Sequence, residues 1–404
     1  MIKFGTDGIR GPAGKPPLDE ETLVQLGCAI ALSLTPNDTV LIGRDTRTSG
    51  PWIERAITKG LLKGGVNVTS AGILPTGALS TAVANRPVEM GVMITASHNP
   101  AEDNGIKILN RTGHKPTKEE QAKVLANFGK ESPYPPGLSK SLTVDAATRE
   151  WRELLPKPDL SGLNILLDCA NGAAAPHAPE ILRTLGAKVQ TIASEIDGEK
   201  INFNCGALHP PEELGPNALA ICFDGDADRL VMVDQNGVID GDDMLWIMSH
   251  KIKGPLVGTI MSNGGLEERL NGRLKRSPVG DSHVAEIMRT EGAQMGAEPS
   301  GHVLFSDGLP TGDGLYTALR VLETARPPFD RNWTRWPCTQ ASIRFEKNKV
   351  PVSDLIVPDQ ARSAGQRVIV RYSGTEPKLR ILVEGPEALH WLKLIVQEAE
   401  SLLL

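Results

Sequence analysis

Short apolar runs of strand length recur along the chain and alternate with longer amphipathic segments rich in Ala and Leu. Val40–Ile42, Val66–Thr69, Ile165–Leu167 and Leu256–Ile260 are runs of this kind, and the alternation predicts α/β layers in which helices cover sheets. One pattern occurs three times: a helix-like segment ends on glycine and a short strand follows, in LLKGGVNV (61–68), LRTLGAKV (182–189) and MRTEGAQM (288–295). Glycine suits a helix C-cap, because it enters the left-handed region without a Cβ clash. The repetition predicts three similar α/β units. Breaker-rich stretches, ESPYPPGLSK (131–140) and ARPPFDRNWTRWP (325–337), suggest borders. The expected domains are 1–140, 141–235, 236–335 and 336–404, although no breaker marks the border near 235. In the last module RVIVRYSG and KLRILVEG predict two strands joined by a loop, followed by a helix near 386–402.

One run raises a chemical question. Gly91–Ile94 stops abruptly at TASHNP (95–100), and a lone Lys107 sits inside the next apolar run. A strand, a polar turn and another strand explain it on backbone grounds. A serine held at a strand end for chemistry explains it equally well.

Bulk properties narrow the field. A chain of 404 residues is too long for one core, so roughly three to four domains are expected. Hydrophobic residues at 40% and charged residues at 23% fit a globular protein, and aromatics at 4% leave its cores mostly aliphatic. A net charge of -6 disfavours a nucleic-acid partner. Cys28, Cys169, Cys205, Cys222 and Cys338 are scattered and never form C-x-x-C, which fits reduced thiols of a cytoplasm. The apolar stretch near Leu23–Leu34 is too short to span a bilayer, and the opening KFGTDGIRG lacks signal-peptide anatomy. The expectation is a soluble cytoplasmic protein with no membrane partner.

Four motifs bear on chemistry. FDGDADRL (223–230) alternates Asp224, Asp226 and Asp228, so a turned loop brings three carboxylates together. Hard oxygen anions call for a hard cation, and Mg²⁺ suits a site with room for phosphate. An EF-hand would need Gly and Glu where Arg229 and Gln235 stand. An aspartate-nucleophile phosphatase and a solvated acidic turn stay open. RYSGTEPKLR (371–380) sets Arg371 beside Ser373, Gly374 and Thr375, which suits a phosphate nest as well as a hairpin loop. AEPSGH (297–302) joins Glu298, Ser300 and His302, groups suited to sugar hydroxyls and proton transfer, or to a polar turn. GTDGIRG (5–11) is a glycine-rich loop with Arg10.

Taken in order, FGTDGIRG, TASHNP…DNGIK, FDGDADR, AEPSGH and RYSGTEP resemble the motif set of the α-D-phosphohexomutase family, across nearly the whole chain. The resemblance implies three similar α/β domains with mixed sheets, and a smaller C-terminal α+β domain, around a central cleft. It implies that Ser97 is phosphorylated and shuttles phosphoryl groups, with Mg²⁺ between its phosphate and Asp224, Asp226 and Asp228. Phosphoserine carries nearly two negative charges and the aspartates add three, so one Mg²⁺ leaves the site short of cations. Arg10, Lys107, Arg229 and His98 are the candidates. Lys107 resembles the family's general acid/base, and packed among cations and apolar groups it is expected to have a lowered pKa. His302 is a further catalytic candidate. Asp281, Glu298 and Ser300 are expected on the sugar. Arg371, Ser373, Gly374, Thr375 and Arg380 are expected on the phosphate that is not reacting, with the small domain closing as a lid.

Asp7 and the runs at 166–187, 259–267 and 311–322 bring the likeness nearest to the family's bacterial amino-sugar branch. Glucosamine 6-phosphate is then the implied substrate, with glucosamine 1,6-bisphosphate as intermediate or activator, for amino-sugar nucleotide and cell-wall precursor synthesis. The same chemistry on mannose or glucose phosphates, and a sugar-phosphate-binding protein without turnover, are the rival expectations. The chain departs from the branch pattern at Ser282-His283, Ala297, Pro299, Ala207-Leu208 and Tyr372. A monomer and a homodimer are both compatible with it.

Overall fold

The computed structural model describes residues 4–5, 8–215, 218–345, 351–372 and 378–403. Four sheets follow one another along the chain. The first holds β1 (Ile9–Pro12), β2 (Thr39–Arg44), β3 (Asn67–Ile73), β4 (Met90–Ile94), β5 (Asp103–Asn110) and β6 (Ser139–Ser141), in the spatial order β1-β5-β4-β2-β3-β6. The second, ordered β11-β10-β9-β7-β8, holds β7 (Asn164–Asp168), β8 (Lys188–Ile192), β9 (Ala218–Phe223), β10 (Leu230–Asp234) and β11 (Gly237–Ile239). The third, ordered β13-β12-β14-β15, holds β12 (Leu256–Thr259), β13 (Leu274–Ser277), β14 (Met295–Ala297) and β15 (Val303–Phe305). In all three, parallel strands at the centre give way to an antiparallel edge. The last sheet is antiparallel throughout, with β16 (Cys338–Arg344), β17 (Arg367–Tyr372) and β18 (Lys378–Glu384) in the order β16-β18-β17. This is the expected plan of three mixed α/β sheets and a smaller C-terminal module.

All three helix–glycine–strand joints form. The helices Gly50–Lys63, Ala178–Thr184 and Asp281–Glu291 each run into a left-handed glycine, Gly65 at φ +91°, Gly186 at +100° and Gly292 at +65°, before β3, β8 and β14. Only residues without a Cβ reverse the chain there without strain.

The cores explain how the modules are joined. One apolar cluster runs continuously through the first three sheets, from Leu41 and Leu79 through Leu167 and Phe223 to Leu256 and Leu319. Trp151 is fully buried in it and donates its Nε1–H to Asp313 Oδ2 at 2.8 Å. The last sheet has a separate core around Leu379, Ile381 and Ile395. Its link to the third sheet is polar. Arg367 donates to the carbonyls of Ile260 and Ser262, and Glu384 accepts from Arg367 at 2.6 Å and from the Gly264 N–H at 3.1 Å. Polar inter-domain contacts of this kind favour relative motion over a fused core. Strand β16 and the helix Val357–Ser363 belong to this module and were not expected from the sequence.

Candidate active site

Two hairpin tips build the site. In the first, β4 and β5 pair antiparallel, with Ile94 opposite Ile106 and Met93 opposite Lys107, so TASHNP is the tip and Lys107 stands one strand away. Ser97 sits at φ +53°, a conformation that costs a non-glycine residue roughly 1–3 kcal/mol. Its N–H donates to Thr95 Oγ1 at 2.8 Å, its Oγ donates to Asp224 Oδ2 at 2.6 Å, and His98 Nδ1 lies 3.2 Å from Oγ. In the second tip, Phe223 of β9 pairs with Leu230 of β10 and the intervening loop carries the three aspartates. Ala227 turns left-handed at φ +57°, and the three buried carboxylates converge, each with one oxygen within 4.8 Å of the others. The tips touch closely: a Cβ on Gly225 would lie 2.6 Å from the Ser97 carbonyl oxygen.

The charges divide unevenly. Lys107 Nζ donates to Asp226 Oδ2 and to Asp228 Oδ2, both at 2.7 Å. Two carboxylates clasp the lysine, because β5 carries it directly into the aspartate loop, so anions stand against it as well as the cations expected nearby. Burial, reinforced by Asp228 and Asp226, pushes the Asp224 carboxyl up to about 7. Burial would raise Asp228 too, but Lys107, His302 and Arg229 outweigh it and hold this carboxyl well below the usual range. Arg229 lies over the same loop, with its N–H on Asp224 Oδ1 at 3.2 Å and its Nε 3.9 Å from Asp224 Oδ2. Arg10 reaches the serine tip, Nη1 to Asn99 Oδ1 at 3.4 Å.

The surroundings of the two histidines push them in opposite directions. Burial and the neighbouring Arg229 and Arg10 push His98, one of the cation candidates, down to about 3. His302 is the one whose charge is favoured. Burial opposes its charge, but Asp228 and Asp281 prevail and push it up to about 9. Its Nδ1 stands 3.8 Å from Asp228 Oδ1 and its Nε2 3.5 Å from Asp281 Oδ2.

Beyond His302 lies the region expected to meet sugar. Asp281 also takes a 2.6 Å ion pair from Lys115, which crosses from the first α/β unit. Glu298 is half-buried and its Oε1 accepts the Gly280 N–H at 3.0 Å, while Ser300 is exposed on the same turn. Arg371 and Arg380 stand directly opposite each other on β17 and β18. Like charges in register destabilise a sheet. Burial and Arg380 lower Arg371, and the Glu298 charge acts on it in the other direction, which brings this edge close to the sugar loop. Two guanidinium groups on one edge are suited to an anion. Ser373, Gly374 and Thr375 lie outside the described residues.

Several supporting residues were not singled out from the sequence. Thr76 Oγ1 donates to Asp226 Oδ2 at 2.5 Å, and Asn202 Nδ2 donates to the carbonyls of Ser97 and Asn99 at 2.8 and 3.0 Å. Asp45, Arg47 and Lys115 belong with them. The polar run Arg44-Asp45-Thr46-Arg47, one glycine after the apolar Val40–Ile42, was the available signal for two of them.

The donor set fits a hard divalent cation. Asp226 Oδ1 and Asp228 Oδ1 are buried without a hydrogen-bond partner, and among the described residues neither a thiol nor an imidazole joins the three-carboxylate group. Buried carboxylate oxygens without a hydrogen bond are costly unless something binds them.

A serine hydroxyl bonded to a metal-competent aspartate loop, where two α/β units meet, is the arrangement of a phosphoryl-transfer enzyme. The chain belongs to the phosphoglucomutase/phosphomannomutase family: its α/β/α domains I, II and III match residues 1–135, 146–237 and 240–332, and its C-terminal domain matches 361–401. The resemblance to phosphohexomutases is thereby borne out. Among curated relatives, the phosphoglucosamine mutase of Alkalilimnicola ehrlichii is 38% identical, over 95% of this chain and 93% of that one. That of Paramagnetospirillum magneticum is 40% identical, over 95% and 94%. A phosphoglucomutase/phosphomannomutase family protein from Burkholderia thailandensis shares the fold with a TM-score of 0.76 at 24% identity, covering 99% and 97% of the two chains. Aspergillus fumigatus N-acetylphosphoglucosamine mutase, solved with GlcNAc-6P and magnesium, shares it at 0.68 and 17% identity, covering 100% and 96%. No helix among the described residues is long and apolar enough to cross a membrane.

Proposed function

We propose that the chain interconverts glucosamine 6-phosphate and glucosamine 1-phosphate through phospho-Ser97, with glucosamine 1,6-bisphosphate as intermediate and Mg²⁺ on Asp224, Asp226 and Asp228. The observation that carries this reading is the 2.6 Å contact between Ser97 Oγ and Asp224 within a loop whose other two aspartates keep unpartnered oxygens. The relatives named phosphoglucosamine mutase support the choice of sugar. Bound there, Mg²⁺ would polarise the phosphoryl group and offset its charge.

The remaining work falls to the chain's own side chains. A sugar hydroxyl attacks the phosphorus of phospho-Ser97, a P–O bond to the sugar forms, and the bond to Oγ breaks. Lys107, an ammonium one strand from the serine, gives a proton to the departing Oγ and regains one from the attacking hydroxyl, and the order exchanges when the direction reverses. Arg10, Arg229 and the charged His302 balance the phosphoryl oxygens, and neutral His98 serves as a hydrogen-bond partner of Oγ. Asp281, Glu298 and Ser300 orient the sugar, and Arg371 and Arg380 hold the phosphate that is not reacting. Because either end of the bisphosphate fits between these groups, it turns over in the cleft and returns its other phosphate to Ser97. The polar seam at Arg367 and Glu384 suits the opening and closing this requires.

The test is a mutase assay on glucosamine 6-phosphate with a trace of its 1,6-bisphosphate. Glucosamine 1-phosphate should form with a higher kcat/KM than the products from glucose or mannose 6-phosphate. Equal efficiency on all three, or a preference for mannose phosphate, would overturn the choice of substrate.

A further inference from the structure

We infer that Asp45, Arg47 and Thr95 form a buried cradle that aims the Ser97 hydroxyl, acting as positioning residues for phosphoryl transfer. The inference rests on the reading of Ser97 as the phosphoryl carrier.

Arg47 is completely buried, yet each of its five N–H groups finds an acceptor. Nε donates to Asp45 Oδ2 at 3.0 Å. Nη1 donates to the carbonyls of Pro100 and Asp103, and Nη2 to those of Ser97 and Asn99 at 3.1 and 2.8 Å. Four carbonyls of the serine tip, those of Ser97, Asn99, Pro100 and Asp103, thus converge on one planar cation. A lysine has three donors on a rotating ammonium and could not reproduce this fork.

The carboxylate of Asp45 closes a second path to the same serine. Its Oδ2 also accepts from Thr95 Oγ1 at 2.6 Å, and Thr95 Oγ1 in turn accepts the Ser97 N–H at 2.8 Å. The Thr95 hydroxyl therefore has its proton committed to Asp45 and its lone pair committed to the nucleophile's own backbone. Ser97 is held from both sides, through its carbonyl by Arg47 and through its N–H by Thr95. That explains how it keeps the left-handed φ of +53° that points Oγ at Asp224. None of the three residues is placed on substrate in the function proposed above. Their effect is on where the reacting oxygen stands, and a misplacement of about 1 Å costs on the order of 100-fold in rate.

Thr95→Val tests this with the shape kept and the hydroxyl removed, and Thr95→Ser restores the hydroxyl. The step to follow is transfer from glucose 1,6-bisphosphate to the metal-loaded dephospho-enzyme. There the P–O bond to the sugar breaks, the Oγ–P bond forms, and the serine proton ends on the sugar oxygen. Phosphorylation of the Ser97 peptide is timed by mass spectrometry, alongside steady-state kinetics and thermal unfolding. Thr95→Val should slow phosphorylation and kcat on the order of 100-fold, with KM within about threefold of wild type, and Thr95→Ser should recover most of the loss. Arg47→Lys, if it folds, should behave like Thr95→Val. Wild-type rates in Thr95→Val, or equal losses in Thr95→Val and Thr95→Ser, would overturn the cradle. A wild-type protein that is never phosphorylated at Ser97 would instead overturn the function on which the inference stands.

Discussion

Lys107 combines two duties that substitution can separate. Its side chain is 4% exposed and donates to Asp226 and Asp228 at 2.7 Å each. Lys107→Met would leave two like charges buried side by side. Removing one partner of a buried pair costs roughly 3–5 kcal/mol. Part of the support survives here, since Asp226 keeps the Thr76 hydroxyl at 2.5 Å and Asp228 keeps charged His302 at 3.8 Å, so about 3 kcal/mol is expected. Urea unfolding of metal-free protein measures it, and Mg²⁺ should recover part of the loss by binding the same carboxylates in the native state only. Turnover on glucosamine 6-phosphate should fall about 10²–10⁴-fold, the usual contribution of a general acid/base. Lys107→Arg is the decisive companion. A cavity of about 20 Å³ lined in part by Thr76, Lys107 and Asp228 gives the larger head some room. A guanidinium keeps the charge but does not give up its proton near neutrality. Stability should therefore return without turnover. A Lys107→Arg enzyme turning over at the wild-type rate would refute the proton-transfer role, and unchanged metal-free stability in Lys107→Met would refute the charge argument.

Exhaustive chelation should abolish turnover and Mg²⁺ should restore it, with Zn²⁺ a poor substitute for want of sulfur or imidazole in the three-carboxylate group; full activity after chelation would exclude the metal. Glu298→Gln keeps an acceptor for the Gly280 N–H but loses the charge that pairs with an ammonium, so kcat/KM should fall tenfold to a hundredfold more for glucosamine 6-phosphate than for glucose 6-phosphate. Away from the site, burial and then Asp240 push the Asp242 carboxyl from 3.8 up to about 7. Between those values the folded chain holds a proton that the unfolded chain has lost, so stability falls as pH rises through that window. Asp242→Asn keeps an acceptor for the Asn263 N–H at 2.8 Å, and urea unfolding should show a stability gain over wild type that is about 1 kcal/mol or more larger at pH 8 than at pH 5.

Local signals carried well from sequence to structure. The helix–glycine–strand joints were legible because a C-cap depends on neighbours within a turn. The convergence of Asp224, Asp226 and Asp228 was legible because their spacing is fixed by one short loop. Strand β16 was not: its sequence CTQASIR buries only Ile343, so no apolar run marks it. The cradle under Ser97 was hidden for another reason. Arg47 and Ser97 are 50 residues apart, and only the β2–β4 pairing brings them together. The histidines show the same limit for charge. His98 and His302 look alike as letters, and what separates them is that arginines surround one and carboxylates the other. Those neighbours come from different sheets.

The central claim is that the phosphoryl group passes through Ser97. Dephosphorylated, Mg²⁺-loaded protein incubated briefly with phosphorus-labelled glucosamine 1,6-bisphosphate, quenched and digested, tests it directly. The account predicts label on the peptide carrying Ser97, stable to acid, released into both glucosamine monophosphates on chase, and absent from Ser97→Ala. Label found instead on the peptide carrying Asp224 as an acyl phosphate, or turnover of Ser97→Ala at the wild-type rate, would contradict it.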